Sequence, residues 1–354
     1  AQRFVLATCE INLVPKLDTS MTVSPWAIAA RIVVSIEAVC GVVLNLLLLY
    51  LLARLDVGRA ARLYRISCMI TALLGSYTSF LLLLLEDLVI LVEGGLAVVL
   101  YGPILFYLPD KINDVLCIGF FTQTHTMWQT IAAPSIIQWM YLAMPNSSDA
   151  RRLFCAYIVP IICYANTLYY MQYIIPDDAM KTTLVRSIYD LHGTDLRDFH
   201  IYGFRMIDED GIDLRDIMLR EAVPSYIAAY GMFIFSAVQI RSRLRGFGSI
   251  TSTKTDRMQR RFFHIQIAQV LLPLVLMSPP MGIALVAGFN GANFASLTII
   301  LDFFLWITPS ATAFLLLIFV VKSSRNRSAK TSHVGISNNY PSPRVPSNSS
   351  RTAA

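Results

Sequence analysis

Seven long apolar runs, separated by loops of opposite charge, leave this chain few ways to fold. The runs are Ala27–Leu52, Ile66–Leu85, Val115–Tyr141, Phe154–Ile175, Ala222–Ile240, Phe263–Phe289 and Ala295–Val321. Each is near or above the roughly 20 residues that carry an α-helix across the hydrocarbon of a bilayer. In lipid such a segment must be helical, because no water satisfies its backbone N–H and C=O groups. The expected fold is an all-α membrane protein, a seven-transmembrane helix bundle. Composition agrees: 55% of the residues are hydrophobic and 15% charged, where soluble domains carry about a quarter.

The loop charges give the bundle a direction. Arg54, Arg59, Arg62 and Arg65 follow the first run, with Asp56 as the one acid among them. Arg241, Arg243, Arg245, Lys254, Arg257, Arg260 and Arg261 lie between the fifth and sixth runs, against Asp256. Between Pro176 and Glu221 the balance reverses, and acids outnumber bases. Short basic loops stay in the cytosol because Lys and Arg are disfavoured for translocation. The N-terminus is therefore expected outside and the C-terminus in the cytoplasm. The divisions are 1–26 as an extracellular segment, 27–321 as the helical domain, and 322–354 as a Ser-, Asn-, Pro- and base-rich tail expected to be disordered. The first run reads as a signal-anchor. Sequons at Asn146, Asn326 and Asn348 fall on the cytoplasmic side and are expected to stay unmodified.

Val89–Leu108 is apolar enough to be an eighth passage, though Glu93, Gly94, Gly95 and Pro103 interrupt it. Charge parity decides against that. A crossing there would put one of the two basic loops outside. The segment is expected to be an outer loop or re-entrant piece packed on the bundle.

The net charge of +6 sits in loops flanking apolar runs. It suits anionic lipid headgroups or a cytosolic partner, and no nucleic acid. The six cysteines show no metal-site spacing, and most fall inside apolar runs; a Cys9–Cys117 pairing is the one disulfide considered. No zinc-hydrolase, serine-hydrolase or nucleotide-loop motif is present in the sequence. Neither an enzymatic activity nor a cofactor is expected.

The most specific stretch runs from Ser252 through Thr255, Gln259, Arg260, Arg261, Phe262 and Gln269 to Pro273 and Pro279. It is a basic, amphipathic approach to a membrane helix with prolines inside. Its pattern resembles the nematode Str-type serpentine chemoreceptors, which are seven-helix G-protein-coupled receptors. Gly41–Val–Val–Leu–Asn45, with Tyr50 beyond, is similar to the family's first span. Gly58 with Tyr64–Arg65 resembles the entry to its second, and Pro309 with Arg325 its close. The likeness covers about residues 27–330. Two positions depart from it: Gln138–Trp–Met–Tyr141 lacks the arginine of the family's Y-R-Y, and the Asp that often follows the last-span Pro is absent.

The resemblance implies an odorant- or chemical-sensing receptor in the plasma membrane, with a sensory cilium as a candidate compartment, acting through a heterotrimeric G protein. Polar groups at membrane depth usually face the bundle interior or a wet cavity. On that ground Gln123, His125, Thr126 and Gln129 in the third run, with Asp302 and Trp306 in the seventh, are the candidate contacts for a small external molecule. His125 and Asp302 are the leading polar pair; the competing reading makes them ties between helices. Arg241, Arg243, Arg257, Arg260 and Arg261 are the candidate G-protein rim, and Pro273 and Pro279 the pivot. A ligand-gated channel or transporter is the alternative, although no pair of broken, repeated spans points to one. An intramembrane enzyme would have only Glu37 and Asp302 to work with.

Overall fold

The computed structural model describes residues 25–54, 59–92, 95–192, 199–205, 213–246, 253–289 and 295–334. The helices are α1 (Pro25–Arg54), α2 (Arg59–Leu85), α3 (Asp110–Gln129), α4 (Ala133–Ala143), α5 (Asp149–Met171), α6 (Asp178–His192), α7 (Leu214–Ile217), α8 (Val223–Gly246), α9 (Thr253–Phe289) and α10 (Ala295–Val334). One 3-10 turn, Thr130–Ala132, joins α3 to α4, and a π turn, Met218–Ala222, joins α7 to α8. The described residues thus form seven rods: α1, α2, α3–α4, α5, α7–α8, α9 and α10. α1 packs on α2 and α10, α3 on α5, α4 on α8, and α10 on α9. Large apolar side chains such as Ile36, Val43, Phe154, Ile161, Ile234 and Val275 point outward from the rods. An exposed apolar surface of that extent belongs in lipid. The protein is a helical membrane bundle.

Five of the rods contain segments long and apolar enough to cross a membrane by length and composition alone, from Ile28–Arg54 to Asp302–Val321. The expected passages Val115–Tyr141 and Phe263–Phe289 are not among them. The first is more polar and is broken at Thr130–Ala132.

The all-α expectation needs correction. Strands β1 (Asp87–Val92), β2 (Gly95–Leu100) and β3 (His200–Arg205) form an antiparallel sheet in the order β1-β2-β3. Val89, Val98, Leu100, Tyr202 and Phe204 face the bundle, against Phe120 and Trp306. Leu88, Ile90, Val92, Val99 and Ile201 face the other way, against Met180, Leu184 and Ile188 of α6. The period of two along each strand sends alternate residues to opposite faces. Here both faces are covered, so the inner positions of β1 and β2 are apolar on both sides, as in a strand buried on both faces. The segment from Val89 to Leu108 is a hairpin followed by a 3-10 turn, packed on the bundle and not crossing it.

The hairpin is held tightly to the end of α2. Glu86 adopts a left-handed conformation, φ 45°, ends the helix through its N–H to the Leu82 carbonyl at 2.8 Å, and pairs with Arg31 of α1. The Gly102 N–H donates to the Leu85 carbonyl at 2.9 Å. A Cβ at Gly102 would lie 1.9 Å from the Leu84 carbonyl oxygen, so only glycine allows this approach.

The tail expected to be disordered from Lys322 is helical as far as Val334 within α10. The rest of it, 335–354, and the segment 1–24 lie outside the described residues, as does Cys9. Cys117 is buried, with no disulfide partner among the described residues.

Candidate functional site

A cavity of about 40 Å³ opens in the middle of the bundle. Thr71 of α2, Met127 and Trp128 of α3, Thr130 and Ile131 of the 3-10 turn, and Pro134 of α4 form one side. Gln269 and Pro273 of α9 and Thr308 and Thr312 of α10 form the other. The wall is neutral and mixes hydroxyls, an indole and a thioether. Gln269 Oε1 is buried without a hydrogen-bond partner among the described residues. It offers an acceptor to whatever occupies the space. The break between α3 and α4 explains why the wall can form there. The Thr130 hydroxyl donates to the Met127 carbonyl at 3.0 Å, and Pro134 supplies no N–H.

The expected ligand contacts surround this cavity without lining it. The His125 ring meets the Phe121 carbonyl at 2.9 Å, and the Thr126 hydroxyl donates to the Thr122 carbonyl at 2.8 Å. Such bonds to the preceding turn use up side-chain capacity within one helix. Gln129 Nε2 donates to Thr167 of α5 at 2.8 Å, and the Thr167 hydroxyl meets the Glu221 carboxylate. Ser225 of α8 donates to the same carboxylate at 3.3 Å. Gln129 is therefore part of a buried tie among α3, α5 and the π turn. Gln123 is buried, with its Nε2 unpartnered among the described residues.

Asp302 and Trp306 sit nearer the sheet. Asp302 accepts from the Val89 N–H at 3.2 Å, which fastens β1 to α10. Trp306 is buried against Phe120, ring centroids 4.9 Å apart. His125 and Asp302 are held by different partners and form no pair. Asp302 lies within electrostatic reach of Asp87 and Glu37. All three acids are buried, and the carboxyl oxygens of Glu37 and Asp87 have no hydrogen-bonding partner among the described residues. Burial pushes the Asp87 carboxyl well above the usual carboxylate range.

At the basic end, Arg241 and Arg243 are exposed on the last turns of α8, and Arg260 and Arg261 on the first turns of α9. Arg260 donates to the Leu244 carbonyl at 3.3 Å. The side chain of Arg257 lies outside the described residues. Pro273 is buried in the cavity wall, while Pro279 is exposed on α9. Two features of this end went unread in the sequence. Gln138 Nε2 of α4 donates to Gln259 of α9, 2.8 Å to the side-chain oxygen and 3.1 Å to the carbonyl. Arg152 of α5 is buried over the Tyr141 ring at 4.3 Å. It bonds the Met144 and Pro145 carbonyls at 3.0 and 2.7 Å and the Asp149 carboxylate at 3.1 Å. A buried arginine thus stands beside Tyr141 although α4 carries none.

These features define a polytopic helical membrane protein, with a small internal cavity of mixed lining and a basic end. The chain's particular kinship comes from its sequence as a whole. It matches the serpentine type 7TM GPCR chemoreceptor Str family over residues 30–328, and belongs to that family. No curated protein matches it significantly. The protein is a chemoreceptor of the G-protein-coupled class, a receptor and not an enzyme.

Proposed function

We propose that the chain crosses the plasma membrane seven times, N-terminus outside and C-terminus in the cytosol, and reports a small external chemical to a heterotrimeric G protein. A sensory cilium fits such a receptor. The occupant of the Thr71–Gln269–Thr308 cavity is a small neutral molecule able to donate a hydrogen bond to Gln269. Gln123, His125, Thr126, Gln129, Asp302 and Trp306 shape the approach from the acidic end. Arg241, Arg243, Arg257, Arg260 and Arg261 form the G-protein rim, and α9 pivots near Pro273 and Pro279.

One observation carries this reading. The same helix, α9, walls the cavity through Gln269 and Pro273 and is tied through Gln259 to Gln138. Gln259 and Pro273 are about 21 Å apart along a helix rising 1.5 Å per residue. An occupant that prefers one setting of α9 shifts the population of the tied and untied forms at the far end. A small-chemical screen in cells, read by second messenger, tests it. A responsive wild type should lose response in Gln269→Leu. Signalling should also fail when the five rim arginines become glutamine, with surface expression intact. Unchanged signalling in the arginine variant overturns the rim, and current that survives G-protein blockade favours a channel.

A further inference from the structure

A second cleft, about 720 Å³, lies between α8 and α9 toward the basic end. Its walls change character along their length. Ile234, Val238 and Ile267 make the deeper part apolar, while Arg241, Arg245 and Arg260 stand at the helix ends; among the described residues no acidic side chain lines it. Ile234 and Val238 are both 59% exposed, which for membrane-depth residues means contact with acyl chains. We propose that this cleft binds an anionic phospholipid, phosphate against the arginines and acyl chain along Ile234, Val238 and Ile267.

The chemistry is complementary at both ends. Guanidinium groups bind phosphate oxygens in paired, charge-assisted hydrogen bonds. An apolar trough opening sideways from a bundle suits an acyl chain, whereas a protein helix would need a face turned to the cytosol. Basic pockets between membrane helices have this preference for phosphorylated headgroups. Arg260 also holds the Leu244 carbonyl of α8, so a headgroup bound there bears on the spacing of α8 and α9. The assignment to the inner leaflet rests on the orientation proposed above; the lipid class does not.

The test is native mass spectrometry of the full-length receptor, released from nanodiscs of phosphatidylcholine doped with a phosphatidylinositol phosphate. The wild type should retain the anionic lipid. Arg241→Gln/Arg245→Gln should retain it about thirtyfold more weakly, from the usual electrostatic contribution of two arginines near a membrane surface. Val238→Trp, which fills the apolar trough and keeps every charge, should also lose it. Both variants are compared as monodisperse, correctly sized protein. Retention by the double variant equal to wild type overturns the site. So does retention by Val238→Trp, since the charges would then act without the trough. A photoreactive residue at Val238 that crosslinks to protein in cells, and not to lipid, overturns it in favour of a protein partner. Mass spectrometry is blind to sidedness. A tag beside Lys254 that stains intact cells therefore defeats the orientation without touching the lipid result.

Discussion

Asn45 shows how a family signature becomes a contact. Its Nδ2 donates to the Gly41 carbonyl at 2.8 Å and leans toward the Pro309 carbonyl of α10 at 3.5 Å. Gly41 lies against Ser79 of α2, so closely that a Cβ would come within 2.2 Å of the hydroxyl oxygen. The Gly–x–x–x–Asn spacing places both groups on one face of α1, where three helices cross. Small residues at such crossings let backbones approach without relying on hydrophobic driving force. Gly41→Leu should therefore cost about 1–3 kcal/mol by overpacking, seen as a lower melting temperature in detergent; an unchanged melt would mean the crossing is loose. Asp87 gives a second test at this scale. Its buried carboxyl is held above the usual range, so the folded chain keeps a proton that the unfolded chain releases from about pH 4 upward. This contribution to stability is present at low pH and declines as pH rises toward the folded value, by about 1.4 kcal/mol per pH unit. Asp87→Asn has no such proton. Its stability relative to wild type should increase with pH across that window, and parallel curves would show that Asp87 is solvated.

In the function proposed above, helix α9 is the element on which switching turns. Gln138–Gln259 joins it to α4 near one end, and Gln266 Nε2 donates to the Pro134 carbonyl at 3.2 Å further along. A neutral hydrogen bond is worth about 1 kcal/mol net, enough to change a two-state ratio about fivefold. Gln138→Leu should thus raise ligand-independent signalling about fivefold at equal surface expression. Basal signalling at the wild-type level would show that the Gln138–Gln259 bond does not restrain α9. Neither this bond nor the cavity could be read from the sequence, because both depend on how α2, α3, α9 and α10 are rotated about their axes. Gln138 stood out only as a departure from the family pattern, and Gln269 only as part of it. The helices themselves were legible: each expected passage overlaps one of the seven rods, five of which hold segments long and apolar enough to cross a membrane. The sheet was not. Asp87–Val92 and Gly95–Leu100 are covered on both faces, which erases the alternation that marks a half-exposed strand. Their apolarity, interrupted only briefly at Glu93–Gly95, imitates a membrane helix, and the charges of distant loops decided against a crossing. The polar residues of α3 carried less information than their number suggested. His125 and Thr126 bond within their own helix, a local choice that composition does not reveal.

At the scale of the whole molecule, the two ends of the bundle differ in construction as well as charge. One end carries the sheet and α6, and both α6 and β3 belong to the acid-rich connection from Pro176 to Glu221. The other, among the described residues, carries helix ends, with arginines at the close of α8 and the opening of α9. In the function proposed above, the sheet and α6 cap one end and restrict what enters the bundle, while the arginine-bearing end meets the G protein. The Coulombic bias against translocating arginine points the same way, placing the basic end in the cytosol. Epitope tags inserted beside Asp195 and beside Lys254 separate the two sides. In intact cells the first should stain and the second should not; after permeabilisation both should. Staining of the Lys254 tag in intact cells would reverse the bundle. The capped end would then face the cytosol, the arginine rim would face away from every G protein, and the cavity would have to be reached from inside.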